Sequence, residues 1–136
     1  MCFNVADIIT NFPIQRYDNI MTDKMEAGAK GEQLAADYLV GKGYTILFRN
    51  YRYGKSEIDL VAQRDDWLVF VEVKARTSLE YGQPEDFVDW KKSERMLKAA
   101  ENFIFATDWQ GNVRFDIISV RLTDPPEIIQ LEDAVH

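Results

Sequence analysis

Apolar and polar residues alternate with a period of two along Ser56–Ala62 and again along Phe70–Arg76, which predicts two β-strands. The connecting Gln63–Leu68 is short enough for a hairpin, with its turn at Asp65-Asp66. That register sets Arg64 against Trp67, Ala62 against Val69 and Asp59 against Glu72, and it carries Lys74 onto the face of Glu72. One face then holds Ile58, Leu60, Ala62, Val69, Val71 and Val73 and reads as core. The other holds Asp59, Glu72 and Lys74, with Glu57 near its edge. Val61 and Phe70 also lie on this second face, so something covers part of it.

Elsewhere the pattern predicts further elements. Glu26–Lys42 is helical, with Leu34, Ala35, Tyr38 and Leu39 on one arc and Lys30, Gln33 and Asp37 opposite. Glu32 falls at the boundary of that arc, where it is either a first-turn acid favoured by the helix dipole or part of a site. Gly41 and Gly43 end the helix. Tyr44–Tyr51 reads as a strand, Ile46 and Phe48 sharing a face, and Arg52–Ser56 as a turn. Thr77–Pro84 is a loop. Asp89–Ala106 is a second helix, packed through Trp90, Met96, Leu97, Ala100, Phe103 and Ile104, with Lys91, Lys92, Arg95 and Lys98 on a basic side. Val113–Leu122 is a strong strand, Glu127–Leu131 a short edge strand, and the last five residues are expected to fray. The order α-β-β-β-α-β, with one more short strand, predicts a mixed α/β sheet flanked by helices.

Composition narrows the chemistry. The 136 residues are 46% hydrophobic and 29% charged, as in a soluble domain with an ordinary core. Residues 1–22 lack the basic start and apolar run of a signal peptide. They read as an N-terminal extension, either a flexible arm or translated upstream sequence, with Met21 and Met25 as alternative starts. Residues 23–136 read as one domain. No apolar run approaches the ~20 residues of a membrane helix, so no membrane partner is expected. The lone cysteine, Cys2, and lone histidine, His136, exclude disulfide scaffolds, Cys/His zinc sites and histidine-based nucleophilic catalysis within one chain, and they fit a cytoplasmic setting. The net charge of −7 argues against a nucleic-acid binder, but Gly41–Arg76 carries seven cations against five acids. In that segment the loop cations Arg52 and Lys55, and Arg76 at the strand's end, are candidate contacts to a nucleic-acid backbone.

Two opposed carboxylates repel unless a cation relieves them. Lys74 supplies part of that charge, and a divalent metal would supply more. Mg²⁺ prefers oxygen ligands and keeps several waters, so Asp59, Glu72 and a substrate phosphate suit it. A nearby lysine stabilises charge building on the phosphate. Asp and Glu are also poor strand formers placed in the middle of strong strands.

Asp59 with Glu72-Val73-Lys74 resembles the Asp…(Asp/Glu)-x-Lys motif of metal-dependent nucleases with the restriction-endonuclease-like fold. The fuller set is similar to the YraN-like family of uncharacterised bacterial proteins, themselves similar to archaeal Holliday junction resolvases. It comprises Gly31-Glu32-Gln33-Leu34-Ala35 with Tyr38-Leu39, Asn50-Tyr51-Arg52, Glu57–Ala62, Phe70–Arg76 and Arg114–Val120. The resemblance spans roughly Glu26–Leu122 and implies a nuclease-like domain. By that resemblance Asp59, Glu72 and the Val73 carbonyl would hold Mg²⁺ or Mn²⁺. Lys74 would be the catalytic lysine and Glu32 the helix acid. The activity implied is endonucleolytic hydrolysis of DNA, branched DNA included, by a homodimer. Ser56 departs from the glycine usual before Glu-Ile-Asp. Two other readings stay open: a non-catalytic nucleic-acid-binding or adaptor protein that keeps the fold, and a domain in which Asp59, Lys74 and Glu72 form only an ion-pair network.

Overall fold

A computed structural model describes residues 23–77 and 90–134. The N-terminal extension and nearly all of the Thr77–Pro84 loop lie outside the described residues, as do the side chains of Trp90, Lys91 and Lys92. The elements are α1 (Asp23–Gly41), β1 (Thr45–Tyr53), β2 (Ser56–Arg64), β3 (Trp67–Arg76), α2 (Trp90–Thr107), β4 (Asn112–Arg121) and β5 (Glu127–Leu131). The five strands form one open sheet in the order β1-β2-β3-β4-β5. All neighbours are antiparallel except β3 and β4, which run parallel and are joined through α2. This is the mixed α/β architecture that the pattern predicts.

Each face of the sheet is covered by one helix. Ala35, Ala36 and Leu39 of α1 pack on Leu60, Ala62, Val69, Val71, Ile118 and Val120. Met96, Ala99, Ala100 and Phe103 of α2 pack on Phe48, Val61, Leu68, Phe70 and Ile117. The cover over Val61 and Phe70 is therefore α2. Leu97, read as a packing position, is instead 38% exposed. Gly43, at φ 92°, terminates α1, while Gly41 is still helical. The Tyr44 N–H reaches the Leu39 carbonyl and the Gly43 N–H reaches that of Val40, closing a Schellman turn.

The β2–β3 hairpin has the predicted register, Arg64↔Trp67 through Leu60↔Val71, with Asp65 at φ 54° in its turn. The β1–β2 turn is tighter than expected: Tyr53 pairs with Ser56, so only Gly54 and Lys55 lie outside the strands. Alternation fails in two places. A bulge between Ile46 and Phe48 puts these residues on opposite faces, against the single face read for both. Asn50, at φ 53°, interrupts β1 between the pairs Arg49↔Leu60 and Tyr51↔Ile58. Ile58 consequently packs beside Val61 under α2, not beside Leu60 under α1 as a strict period of two requires.

Asp116 is fully buried and fully engaged. Arg114 grips it through Nε–Oδ1 (2.8 Å) and Nη2–Oδ2 (2.9 Å), Gln130 Nε2 donates to Oδ2 (2.8 Å), and the Asp133 N–H donates to Oδ1 (3.0 Å). Accepting both Arg114 bonds, Asp116 holds that guanidinium firmly protonated and raises its pKa. Together with the Ala134 N–H on the Phe115 carbonyl (2.9 Å), these bonds fix the chain through Ala134, where fraying was expected.

Candidate active site

The irregularity at Asn50 sits across from Asp59, and the functional side chains gather beside it. Pairing between β2 and β3 stops at Leu60↔Val71. Asp59 does not stand on the sheet face opposite Glu72. Its Oδ2 instead accepts the Val73 backbone N–H at 2.8 Å, taking the place of a ladder carbonyl. The carboxylate thus ends against the Glu72–Val73 peptide, in the gap where the two strands part. The N–H and C=O of one strand residue point to the same side, so the Val73 carbonyl faces that gap too.

Glu72 and Lys74 follow Phe70 along one face of β3. Glu72 is 8% exposed, and its Oε1 lies 3.1 Å from Lys74 Nζ, an ion pair shielded from water on both sides. Glu32 approaches from α1. Its carboxyl is pushed up to about 7, first by burial and then by the negative charges of Asp59 and Glu57; a hydrogen bond from Asn50 and the charge of Arg49 oppose the rise. Gly31 allows this approach, because a Cβ there would lie 2.5 Å from the Ala75 Cβ. Arg49 is itself tied to α1 by a 2.8 Å bond from Nη1 to Gln33 Oε1.

The basic candidates sit further out. Arg52 is exposed and 3.9 Å from Glu57, the residue opposite it in the ladder. Lys55 is exposed at the tip of the β1–β2 turn. Arg76, at the end of β3, bends back so that Nη1 bonds the Ala75 carbonyl at 2.9 Å. Glu32, Asp59, Glu57 and Asn50 therefore form one group, and Glu72 with Lys74 a second, linked through the Val73 peptide. Arg52 borders the first group. Sequence reasoning missed Asn50 as a contributor. Its one clue was an asparagine, a residue that tolerates positive φ, inside a run of strand formers.

The donors offered are carboxylates and a backbone carbonyl, which in kind suit a hard divalent cation. Among the described residues no three of His, Cys, Asp and Glu come together as a ready-made metal site. A cation here would take two carboxylates from the chain, and water and phosphate oxygens would supply the rest.

The model of the Uncharacterised protein family UPF0102 matches residues 31–120, from Gly31 to Val120. The chain belongs to the UPF0102 family. A UPF0102 protein of Chlorobium phaeobacteroides is 44% identical over 118 residues, covering 85% of this chain and 92% of that relative. Another, from Caldanaerobacter subterraneus, is 43% identical over 115 residues, covering 84% and 93%. A third, from Christiangramia forsetii, is 43% identical over 100 residues, covering 74% and 84%. Membership of UPF0102 bears out the YraN-like family resemblance drawn from the motifs. The matched segment contains every candidate residue named above. Among the described residues, no helix is long and apolar enough to cross a membrane.

Proposed function

We propose that this protein is a metal-dependent endonuclease that hydrolyses DNA phosphodiesters, branched DNA included. The observation that carries this reading is the buried Glu72–Lys74 pair, joined through the Val73 N–H to the Asp59 carboxylate in a gap of the sheet. A hydrophobic sheet does not bury such charges without return, since each costs several kcal/mol to desolvate. In this reading Asp59, Glu72 and the Val73 carbonyl hold Mg²⁺ or Mn²⁺. Bound there, such an ion would supply Lewis-acid activation of water and screening of the phosphate charge. Lys74, held by Glu72 at 3.1 Å, would neutralise charge developing on the phosphate. Glu32, from α1, is the remaining acid beside Asp59; without a metal its carboxyl is pushed up to about 7 by burial and by the charges of Asp59 and Glu57. Arg52, Lys55 and Arg76 contact the nucleic-acid backbone. A cytoplasmic setting and a homodimer, one site for each strand cut, belong to the same proposal.

The test is incubation with Mn²⁺ or Mg²⁺ and branched, single-stranded and duplex DNA. Cleavage is expected, reduced on the order of 100-fold or more in Asp59→Ala and Lys74→Ala. No cleavage of any substrate, or cleavage indifferent to both substitutions, refutes the reading.

One observation favours a second reading. Lys74 already neutralises Glu72 at 3.1 Å without a metal, which fits a nucleic-acid-binding or adaptor protein that keeps the architecture without turnover. Salt-sensitive DNA binding with no metal-dependent cleavage selects it.

A further inference from the structure

A cavity of about 340 Å³ opens between the end of β1 and the outer side of α2, lined by Tyr53, Lys98, Glu101, Asn102 and Phe105. Its volume is in the range of small-ligand pockets. Two large aromatics face it although neither supports the core: Tyr53 is 50% exposed and Phe105 78% exposed. Single exposed aromatics are ordinary. Here two, from different elements, border one cavity together with an amide, a carboxylate and an ammonium group. The Tyr51 hydroxyl donates to Asn102 Oδ1, which fixes that amide and leaves its nitrogen as a donor. Tyr51 is in turn held edge-on against Phe48 and Phe103. Tyr53 directly precedes the Gly54-Lys55 turn, and Arg52 is its neighbour.

We propose that this cavity is a subsite for one unpaired nucleobase of the nucleic-acid substrate. The proposal rests on the nucleic-acid reading above and specifies its substrate as a strand with at least one unstacked base. Tyr53 and Phe105 offer flat apolar surfaces on which a base stacks whatever its sequence. Asn102 and Glu101 offer a donor and an acceptor to the base edge. Glu101 accepts from an exocyclic amine, which adenine, cytosine and guanine carry and thymine lacks. Lys98 on α2 and Lys55 in the turn provide for the flanking phosphates.

The experiment uses the full chain in EDTA with short single-stranded oligonucleotides carrying one 2-aminopurine, whose fluorescence falls on stacking. Wild type is expected to quench the probe. Tyr53→Ala and Phe105→Ala each weaken binding roughly 5- to 100-fold, the range for losing one base stack. Tyr53→Phe retains binding, and Glu101→Gln lowers the preference for amine-bearing bases over thymine. Both aromatics are exposed, so these variants keep the fold, which circular dichroism checks. Binding by both alanine variants equal to wild type overturns the subsite, as does failure to bind any oligonucleotide. The two proposals separate cleanly. DNA cleaved at wild-type rate by both alanine variants removes the subsite and leaves hydrolysis standing. Binding that depends on Tyr53 and Phe105, with no DNA cleaved, does the reverse.

Discussion

Glu32 shows how one side chain records its surroundings. Its carboxyl titrates at about 7, against 4.5 for an unperturbed group, because burial and the charges of Asp59 and Glu57 both penalise the ionised form. Between those two pH values the native state keeps a proton that the unfolded chain releases. The contribution of Glu32 to stability is therefore full below about 4.5, is lost as pH rises toward 7, and levels off above. Glu32→Gln removes this dependence. In urea unfolding with EDTA, the variant is expected to be flatter across that window and more stable than wild type at pH 8, by about 1 kcal/mol after allowance for solvent screening. A variant with unchanged pH dependence would show that another group carries the effect. At this scale the sequence was only partly legible. Glu32 could be placed at the edge of an apolar arc, but the proximity of Asp59 and Asn50 depends on how α1 crosses the sheet. Asp59 and Glu72 were read as an opposed pair. The backbone defeated that reading, because the Asp59 carboxylate takes the Val73 N–H at 2.8 Å instead of standing on the sheet face opposite Glu72.

The elements were readable where periodicity is strict and illegible where it breaks. Both helices, the hairpin and the β2–β3 register follow from the pattern, since a one-residue slip would turn a whole apolar face to solvent. The bulge after Ile46 and the positive φ of Asn50 do not, because each is a local choice that redistributes Phe48, Tyr51 and Ile58 between faces already apolar on both sides. Where both faces are core, burial no longer tells one face from the other. Contact between α1 and β3 gives a sharp test of element packing. Any side chain at Gly31 meets the Ala75 Cβ, at 2.5 Å for an added Cβ. Gly31→Ala should cost about 1–3 kcal/mol by overpacking, despite alanine's better helix propensity. Combining it with Ala75→Gly should recover much of that loss in a double-mutant cycle of chemical unfolding. A neutral Gly31→Ala would mean that α1 shifts outward without penalty.

At the scale of the molecule, Asp116 joins what the chain order separates. Its acceptor oxygens collect Arg114 from β4, Gln130 from β5 and the backbone of Asp133, while Arg114 also bonds the Tyr44 hydroxyl ahead of β1 at 2.8 Å. The same guanidinium lies over the Trp67 ring at 5.6 Å, at the start of β3. Arg114 and Asp116 are two apart in the predicted strand Val113–Leu122 and so share a face, but a same-face ion pair looks alike in sequence whether buried or solvated. Asp116→Ala leaves Arg114 with only the more distant and exposed Glu132 carboxylate, at 3.8 Å, as a counter-charge. The expected cost is about 3–5 kcal/mol, seen as a lower unfolding midpoint. Hydrogen exchange should rise first along β5, which has only β4 for a neighbour. Loss confined to a few tenths of a kcal/mol would mean that the network is incidental.

The parallel seam between β3 and β4 also sets a timetable. Each of its pairs, such as Trp67↔Asn112, joins residues 45 positions apart, whereas Arg64↔Trp67 closes the neighbouring hairpin at once. By loop-closure entropy the seam costs roughly 2 kcal/mol more to zip than that hairpin. The three-strand meander can therefore assemble early, and arrival of β4 is the slow event. Until then the far edge of β3, with Glu72 and Lys74 on it, waits as an open template, and a crowded nascent chain is at its most aggregation-prone in that interval.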